Sequence, residues 1–193
     1  MIAPQLRVLR RRLATLPDPV ASSRRLQLVL PSRPRVPELV ELLSDRTIAR
    51  WTLHIPYPYR TADAVAWLRR DRGGRRQGTN LNLQIVRRSD RRLVGGIGLH
   101  HLDALHQRAE LGYWVGARFR RQGYAAEAAR AVCALGFRRL GLHRIEARVF
   151  PGNAASVGVL RSVGFRREGR LRQSIAKDGR HLDELVFAKL AQD

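Results

Sequence analysis

Lysine is almost missing from this chain: Lys177 and Lys189 are the only two, and the other basic residues are arginines. Carboxylates are also scarce, 16 against 37 basic groups, which leaves a formal charge of +21. The arginines are spread over the whole length, so a compositional preference for arginine accounts for them without any partner. Such a field nevertheless draws in anionic ligands and repels polycationic ones. It leaves nucleic acid or the ribosome open as partners. Aromatic residues make up only 6% of the chain, so stacking platforms for single-stranded nucleic acid are few. A single cysteine, Cys133, excludes an intrachain disulfide. Its apolar neighbours Ala131, Val132, Ala134 and Leu135 predict a buried, inert thiol. Long apolar runs are lacking too. Nothing approaches the roughly 18 residues that cross a bilayer, and Met1–Leu16 has no signal-peptide core. These absences predict a cytoplasmic protein with no membrane segment.

What is present reads as one α/β domain. Residues 1–23 form an N-terminal extension, closed by Pro17-Asp18-Pro19, and residues 24–193 form the domain. Arg25–Leu30 alternates as a strand, and Pro37–Leu43 opens with proline and glutamate as a helix. Ile55-Pro56-Tyr57-Pro58-Tyr59 makes a stiff aromatic loop. Thr61 then caps a helix ended by Gly73-Gly74. Strands follow at Leu81–Val86, Leu93–Leu99 and Glu110–Val115, then a helix at Ala125–Leu140 and a strand at Arg144–Phe150. A short helix, Ala154–Val163, stops at Gly164. Two last strands, Phe165–Ala176 and Arg180–Leu190, turn at Asp178-Gly179.

The most informative stretch runs from Leu111 to Ala125. A strand enters a short glycine-containing loop that opens a long helix. The first amides of a helix have no intrahelical acceptor and carry the positive end of its dipole. Gly123 and the small Ala125 let an anion come close, and Arg120 and Arg121 add charge. This is a diphosphate cradle. It lacks the lysine-serine/threonine ending of a P-loop and the glycine spacing of a dinucleotide turn.

At this point the sequence resembles the GNAT superfamily, in which R/Q-x-x-G-x-G/A binds the pyrophosphate of acetyl-CoA. Arg120-x-x-Gly123-x-Ala125 fits that pattern. A second landmark is Asn153 followed by a small helix and Gly164-Phe165. Four cues in order are similar to the branch containing the ribosomal-protein N-terminal acetyltransferases: Ile55-Pro56-Tyr57-Pro58-Tyr59, Glu110-Leu111-Gly112-Tyr113, Gly123-Tyr124-Ala125-Ala126-Glu127-Ala128, and Asn153-x-x-Ser156.

The resemblance implies a mixed, mostly antiparallel sheet, flanked by helices and splayed between its fourth and fifth strands. Acetyl-CoA is the implied co-substrate and lies in the splay. The Val115 amide bonds the thioester carbonyl, and the loop Arg120, Arg121, Gln122, Gly123, Tyr124 and Ala125 holds the pyrophosphate. Asn153 contacts the pantetheine arm or positions the next helix. Many relatives carry a tyrosine seven residues after that asparagine, but here the position is Leu160. The implied group near the sulfur is Ser156, whose hydroxyl bonds the departing thiolate; a plain helix-terminal hydrogen bond is the alternative role.

Glu110 is the candidate base, because it begins the strand that carries the thioester amide; Glu146 competes for that role. Tyr57 and Tyr59, with His54, either border the acceptor or cap the core. His100, His101 and His106 lack the supporting ligands of a metal site, so no metal is expected. The resulting expectation is an N-acetyltransferase acting on a protein N-terminus or a small molecule, with an anionic acceptor favoured over a polycationic one. A non-catalytic acyl-CoA sensor or scaffold, or a basic nucleic-acid-binding module, are the alternatives. A homodimer stays open.

Overall fold

In the computed structural model, which describes residues 3–193, the alternating segments pair into one eight-stranded sheet. The strands are β1 (Ala21–Ser22), β2 (Leu26–Val29), β3 (Leu81–Arg87), β4 (Leu93–Asp103), β5 (Arg108–Val115), β6 (Arg144–Val149), β7 (Arg166–Lys177) and β8 (Arg180–Leu190). Their order is β1-β2-β3-β4-β5-β6-β8-β7. Every neighbouring pair is antiparallel except β5 with β6. That parallel ladder is short, running only from Arg108↔Arg144 to Glu110↔Glu146. Beyond Glu110 the two strands part and leave a wedge between Leu111–Val115 and the end of β6. This wedge is the expected splay; once the two-residue β1 is counted, it separates the fifth and sixth strands.

Strand alternation gives the sheet two faces. Leu28, Leu83, Ile85, Leu99 and Leu111 are buried on one face, against α5 (Tyr124–Leu135), with α6 (Ala154–Val163) packed beside that helix. The other face is covered over β3 and β4 by α2 (Val36–Leu43) and α4 (Thr61–Gln77). Each fully buried leucine or isoleucine contributes about 1.5–3 kcal/mol, so this double-sided burial holds the strands that frame the wedge.

Three local expectations change. First, α4 runs through Gly73-Gly74 and stops at Gly78, which has φ +77°. Two helical glycines cost roughly 1 kcal/mol each. They are tolerated because Ala64, Leu68 and Asp71 remain buried. Gly74 also has a steric purpose, since a Cβ there would lie 1.6 Å from Asn80 Oδ1. Second, residues 46–51 form a helix, α3, where the sequence suggested none; Asp45 caps it by accepting from the Thr47 amide. Third, the helix expected over Ala125–Leu140 is α helical only to Leu135 and widens to a π turn at Gly136–Leu140.

The described part of the expected extension is α1 (Pro4–Ala14) and β1. Leucines spaced three and four apart make α1 one-sided, and Leu9 and Leu13 are buried in the common core. Arg12 Nη1 donates to Leu140 O at 2.8 Å, and Arg10 Nε to Gln77 O at 2.9 Å. Packing therefore continues across residue 24. Near β1 the cradle helix is anchored. Glu127 on α5 accepts from Ser23 Oγ at 2.7 Å, Arg25 N at 2.9 Å and Arg25 Nε at 2.7 Å. Burial works to raise this carboxyl, but the bonds from Ser23 and Arg25 outweigh it and leave the pKa lowered. Hydrogen bonds to a charged group are worth about 1.5–3 kcal/mol. Glu127→Ala is therefore expected to destabilise the fold by about 2 kcal/mol at neutral pH. The difference should vanish as pH falls below the depressed folded pKa, where the wild-type carboxylate is also protonated. Urea denaturation of both proteins at neutral and acid pH would measure it.

Candidate active site

The loop after β5 has the backbone of an anion receptor. Ala117–Phe119 makes one 3-10 turn. Arg121 then takes φ +61°, and Gly123 takes φ +79° as the N-cap of α5, which has no side-chain cap. Left-handed residues set among right-handed ones turn successive amides toward a common centre. None of the amides from Arg121 to Ala126 donates to a backbone acceptor; the first bond of α5 is Glu127 N to Gly123 O at 3.0 Å. The side chain of Arg25 stacks over the Tyr124 ring at 4.7 Å and reaches within 3.4 Å of where a Gly123 Cβ would stand. These donors and charges fit a diphosphate.

Arg120 does something different from what its position suggests. Its guanidinium is taken up by the protein, donating to Val115 O at 3.1 Å, Thr47 Oγ1 at 2.8 Å and Asp45 Oδ2 at 2.8 Å. Burial alone would raise the Asp45 carboxyl; bonds from Thr47 and the Arg120 charge hold it below its ordinary value. Arg120 thus ties the loop to α3 and supplies no free charge. Arg121 keeps its side chain exposed beside the cradle.

The cradle adjoins the wedge. Gly116 N donates to Val94 O on β4 at 3.0 Å. Amides alternate between the two edges of a strand, so those of Val115 and Tyr113 point away from β4 and into the gap. Across the gap, Asn153 caps α6 by accepting from Ser156 N at 3.1 Å. Of the two roles read for Asn153, the helix-positioning one is seen here. Ser156 Oγ lies 2.8 Å from Tyr113 Oη, which also reaches Ser156 O at 3.2 Å. Burial pushes the Tyr113 phenol up to about 12, against a smaller opposing effect of Ser156, so it stays protonated at neutral pH.

Glu110 lies on the opposite face of β5 from Tyr113, three residues away in the alternation. Its Oε2 is 3.5 Å from Arg148 Nε. Arg148 also meets Glu184, which accepts from Ser174 Oγ at 2.8 Å. Burial raises the Glu110 pKa, opposed by Arg148 and His101 and reinforced by Glu184 and Glu146. Glu146 is held differently, accepting from Arg144 Nε at 2.8 Å.

On that face a cleft of about 1330 Å³ opens between α3, the aromatic loop and the β7–β8 hairpin, with Phe150 and Pro151 at the mouth of the wedge. Lys177 closes one side by donating to Ala49 O at 2.5 Å and Thr52 O at 2.6 Å. The two tyrosines separate. Tyr57 is 52% exposed and lines the cleft, whereas Tyr59 is 7% exposed and belongs to the core. The substrate-facing expectation for Tyr59 is therefore corrected. Packing decides between them: the Tyr59 ring joins the core and the Tyr57 ring stays outside it. His100 is half-buried, and desolvation with the charges of His101 and His54 lowers it to about 4. No group of three or more metal-ligating side chains occurs among the described residues.

Residues 25–166 match the family model described as an acetyltransferase (GNAT) domain. The chain belongs to the GNAT acetyltransferase family. One GNAT relative is the uncharacterized N-acetyltransferase YoaA of Bacillus subtilis, 42% identical over 104 residues, a stretch that spans 54% of this chain and 59% of YoaA. Among solved structures, Mycobacterium smegmatis RimJ in complex with CoA-disulfide is 26% identical with a TM-score of 0.79, covering 86% of this chain and 82% of RimJ. A Bacillus anthracis GNAT acetyltransferase is 25% identical with a TM-score of 0.80, covering 90% and 99%.

In this GNAT chain the structure assembles Val115, the 121–125 loop, Asn153 and Ser156 around the wedge. It leaves Glu110 on the far face and Arg120 turned away. Tyr113, the partner of Ser156, was readable only as part of the Glu110-Leu111-Gly112-Tyr113 cue, with no role of its own. Asp45 and Thr47 gave no signal, because their bond to Arg120 joins distant parts of the chain.

Proposed function

We propose that this chain transfers an acetyl group from acetyl-CoA to a primary amine, a protein N-terminus or a small molecule. One observation carries the reading: the unsatisfied amides of residues 121–126 lie beside a wedge whose far side presents Ser156. The pyrophosphate sits on those amides, and the Val115 amide donates to the thioester carbonyl, where negative charge develops. The amine enters from the cleft on the Glu110 face. Its nitrogen forms a bond to the acetyl carbon as the carbon–sulfur bond breaks. The amine proton passes through water to Glu110, and the thiolate leaves with a hydrogen bond from Ser156. Acid-side and base-side groups then stand on opposite faces of one sheet.

Release of free thiol from acetyl-CoA, followed with amine acceptors of each class, tests this reading. Turnover that depends on an amine supports it; tight CoA binding without any turnover would make the chain a sensor. The elevated Glu110 pKa has a kinetic consequence. A base must be deprotonated to act, so kcat/KM should fall at acid pH through an apparent pKa above the carboxylate's usual 4.5. Glu110→Gln is expected to lower kcat about 100-fold and to remove that limb. An unchanged profile would transfer the role elsewhere.

A further inference from the structure

The cleft on the amine side has an unequal charge. Five of its lining residues, Arg46, Arg50, Arg170, Lys177 and Arg180, are cationic, against Asp178 and Asp183. Two of the cations are spent inside the protein: Arg170 on Asp183, and Lys177 on the carbonyls of Ala49 and Thr52. Asp183 is spent as well, since it also accepts from the Gln173 amide at 2.8 Å. Three exposed guanidiniums remain, Arg46, Arg50 and Arg180, and none is in an ion pair among the described residues. Only Asp178 remains to oppose them.

Arg46 and Arg50 are four residues apart on α3, so they share one helix face and repel each other. Each is also steered. Arg46 lies over the Tyr57 ring at 5.8 Å, and Arg50 over Trp51 at 4.9 Å. Tyr57 and Trp51 line the same cleft, and Arg180 faces them from the hairpin wall. Arginine is plentiful everywhere in this chain, but here three unpaired guanidiniums converge on one concave space. Planar guanidiniums held on two walls suit carboxylates in bidentate pairs. The volume of about 1330 Å³ exceeds the roughly 300–1,000 Å³ of an ordinary small-molecule pocket. It accommodates several residues of extended chain.

We propose that the acceptor is an acidic peptide, its terminal amine directed to the wedge at Phe150 and its following carboxylates held by Arg46, Arg50 and Arg180. This inference rests on the acetyltransferase reading for the direction of the chain, while the peptide subsite can be measured without turnover. Fluorescence anisotropy in the presence of CoA would compare labelled peptides that share a first residue and carry Glu, Gln or Lys at positions two to five. Thiol release would give kcat/KM for the same set and for a small amine.

The Glu peptide is expected to bind at least tenfold more tightly than the Gln peptide, with the advantage shrinking as salt is raised. The triple variant R46Q/R50Q/R180Q should erase that advantage, acting on KM. The control R69Q/R72Q/R76Q removes the same charge from exposed positions on α4 and should preserve it. Equal binding of the Glu and Gln peptides overturns the proposal. So does an equal loss in both triple variants, which would mean a diffuse field, or a loss of CoA affinity in the cleft variant, which would assign the arginines to the nucleotide. Turnover of the small amine alone would sink the peptide and leave the enzyme. Selective binding of the Glu peptide with no turnover of any amine would keep the subsite and sink the enzyme.

Discussion

Gly123→Glu is expected to weaken CoA binding at least 100-fold while the protein stays folded. Gly123 holds φ +79° at the head of α5, where a side chain costs roughly 1–2 kcal/mol. Steric room is not the obstacle, since a Cβ would meet only Arg25 Nη2 at 3.4 Å. The larger effect is electrostatic. The amides from Arg121 to Ala126 have no backbone acceptor, and the helix dipole adds positive potential there. A carboxylate at residue 123 can accept from these donors itself and repels the diphosphate that would otherwise use them. Losing a hundredfold in affinity corresponds to about 2.7 kcal/mol, the scale of one or two hydrogen bonds to a charged group. Gly123→Ala carries the backbone strain without the charge and should lose about tenfold or less. Calorimetric titration of CoA against all three proteins, with thermal unfolding alongside, separates the contributions. Wild-type affinity in Gly123→Glu would show that the pyrophosphate lies elsewhere.

The cradle was readable because every part of it is local: a strand, a left-handed glycine and a helix start lie within fifteen consecutive residues. Of the two roles that the resemblance implied for Asn153, positioning α6 also rests on a local bond, with donor and acceptor three residues apart. What escaped the sequence depends on contacts between distant segments. Arg120 looked like a phosphate ligand because no carboxylate stands close to it in sequence; Asp45 and Thr47 arrive through folding. Gly73-Gly74 reads as a helix end unless it is known that Asn80 must pass against Gly74. Tyr57 and Tyr59 are equivalent in sequence. Burial distinguishes them, because the core takes the ring nearer α4 and leaves the other to the cleft. Strand alternation separates Tyr113 from Glu110 across the sheet, and Ser156 comes beneath the Tyr113 hydroxyl only once α6 is docked.

That contact leads to a second large effect, on kcat. If Ser156 bonds the leaving thiolate, its hydroxyl must point into the wedge, and Tyr113 is the group that fixes it. The phenol stays protonated far above neutral pH. It can donate its one proton to Ser156 Oγ at 2.8 Å, which leaves the serine's own proton free for the thiolate. A serine hydroxyl that accepts from the phenol has its own proton turned away from Tyr113. Ser156→Ala is expected to lower kcat about 100-fold, with the KM for acetyl-CoA changing less than threefold. Tyr113→Phe keeps the ring that packs in the core and removes only the hydroxyl, and should lower kcat about tenfold, or about 1.4 kcal/mol. The double variant should be no slower than Ser156→Ala, because Tyr113 acts only through the serine; that non-additivity is the coupling between them. Losses that multiply to about 1000-fold would instead give Tyr113 an independent contact with the substrate. A Tyr113→Phe enzyme as fast as wild type would leave Ser156 to orient itself from the helix alone.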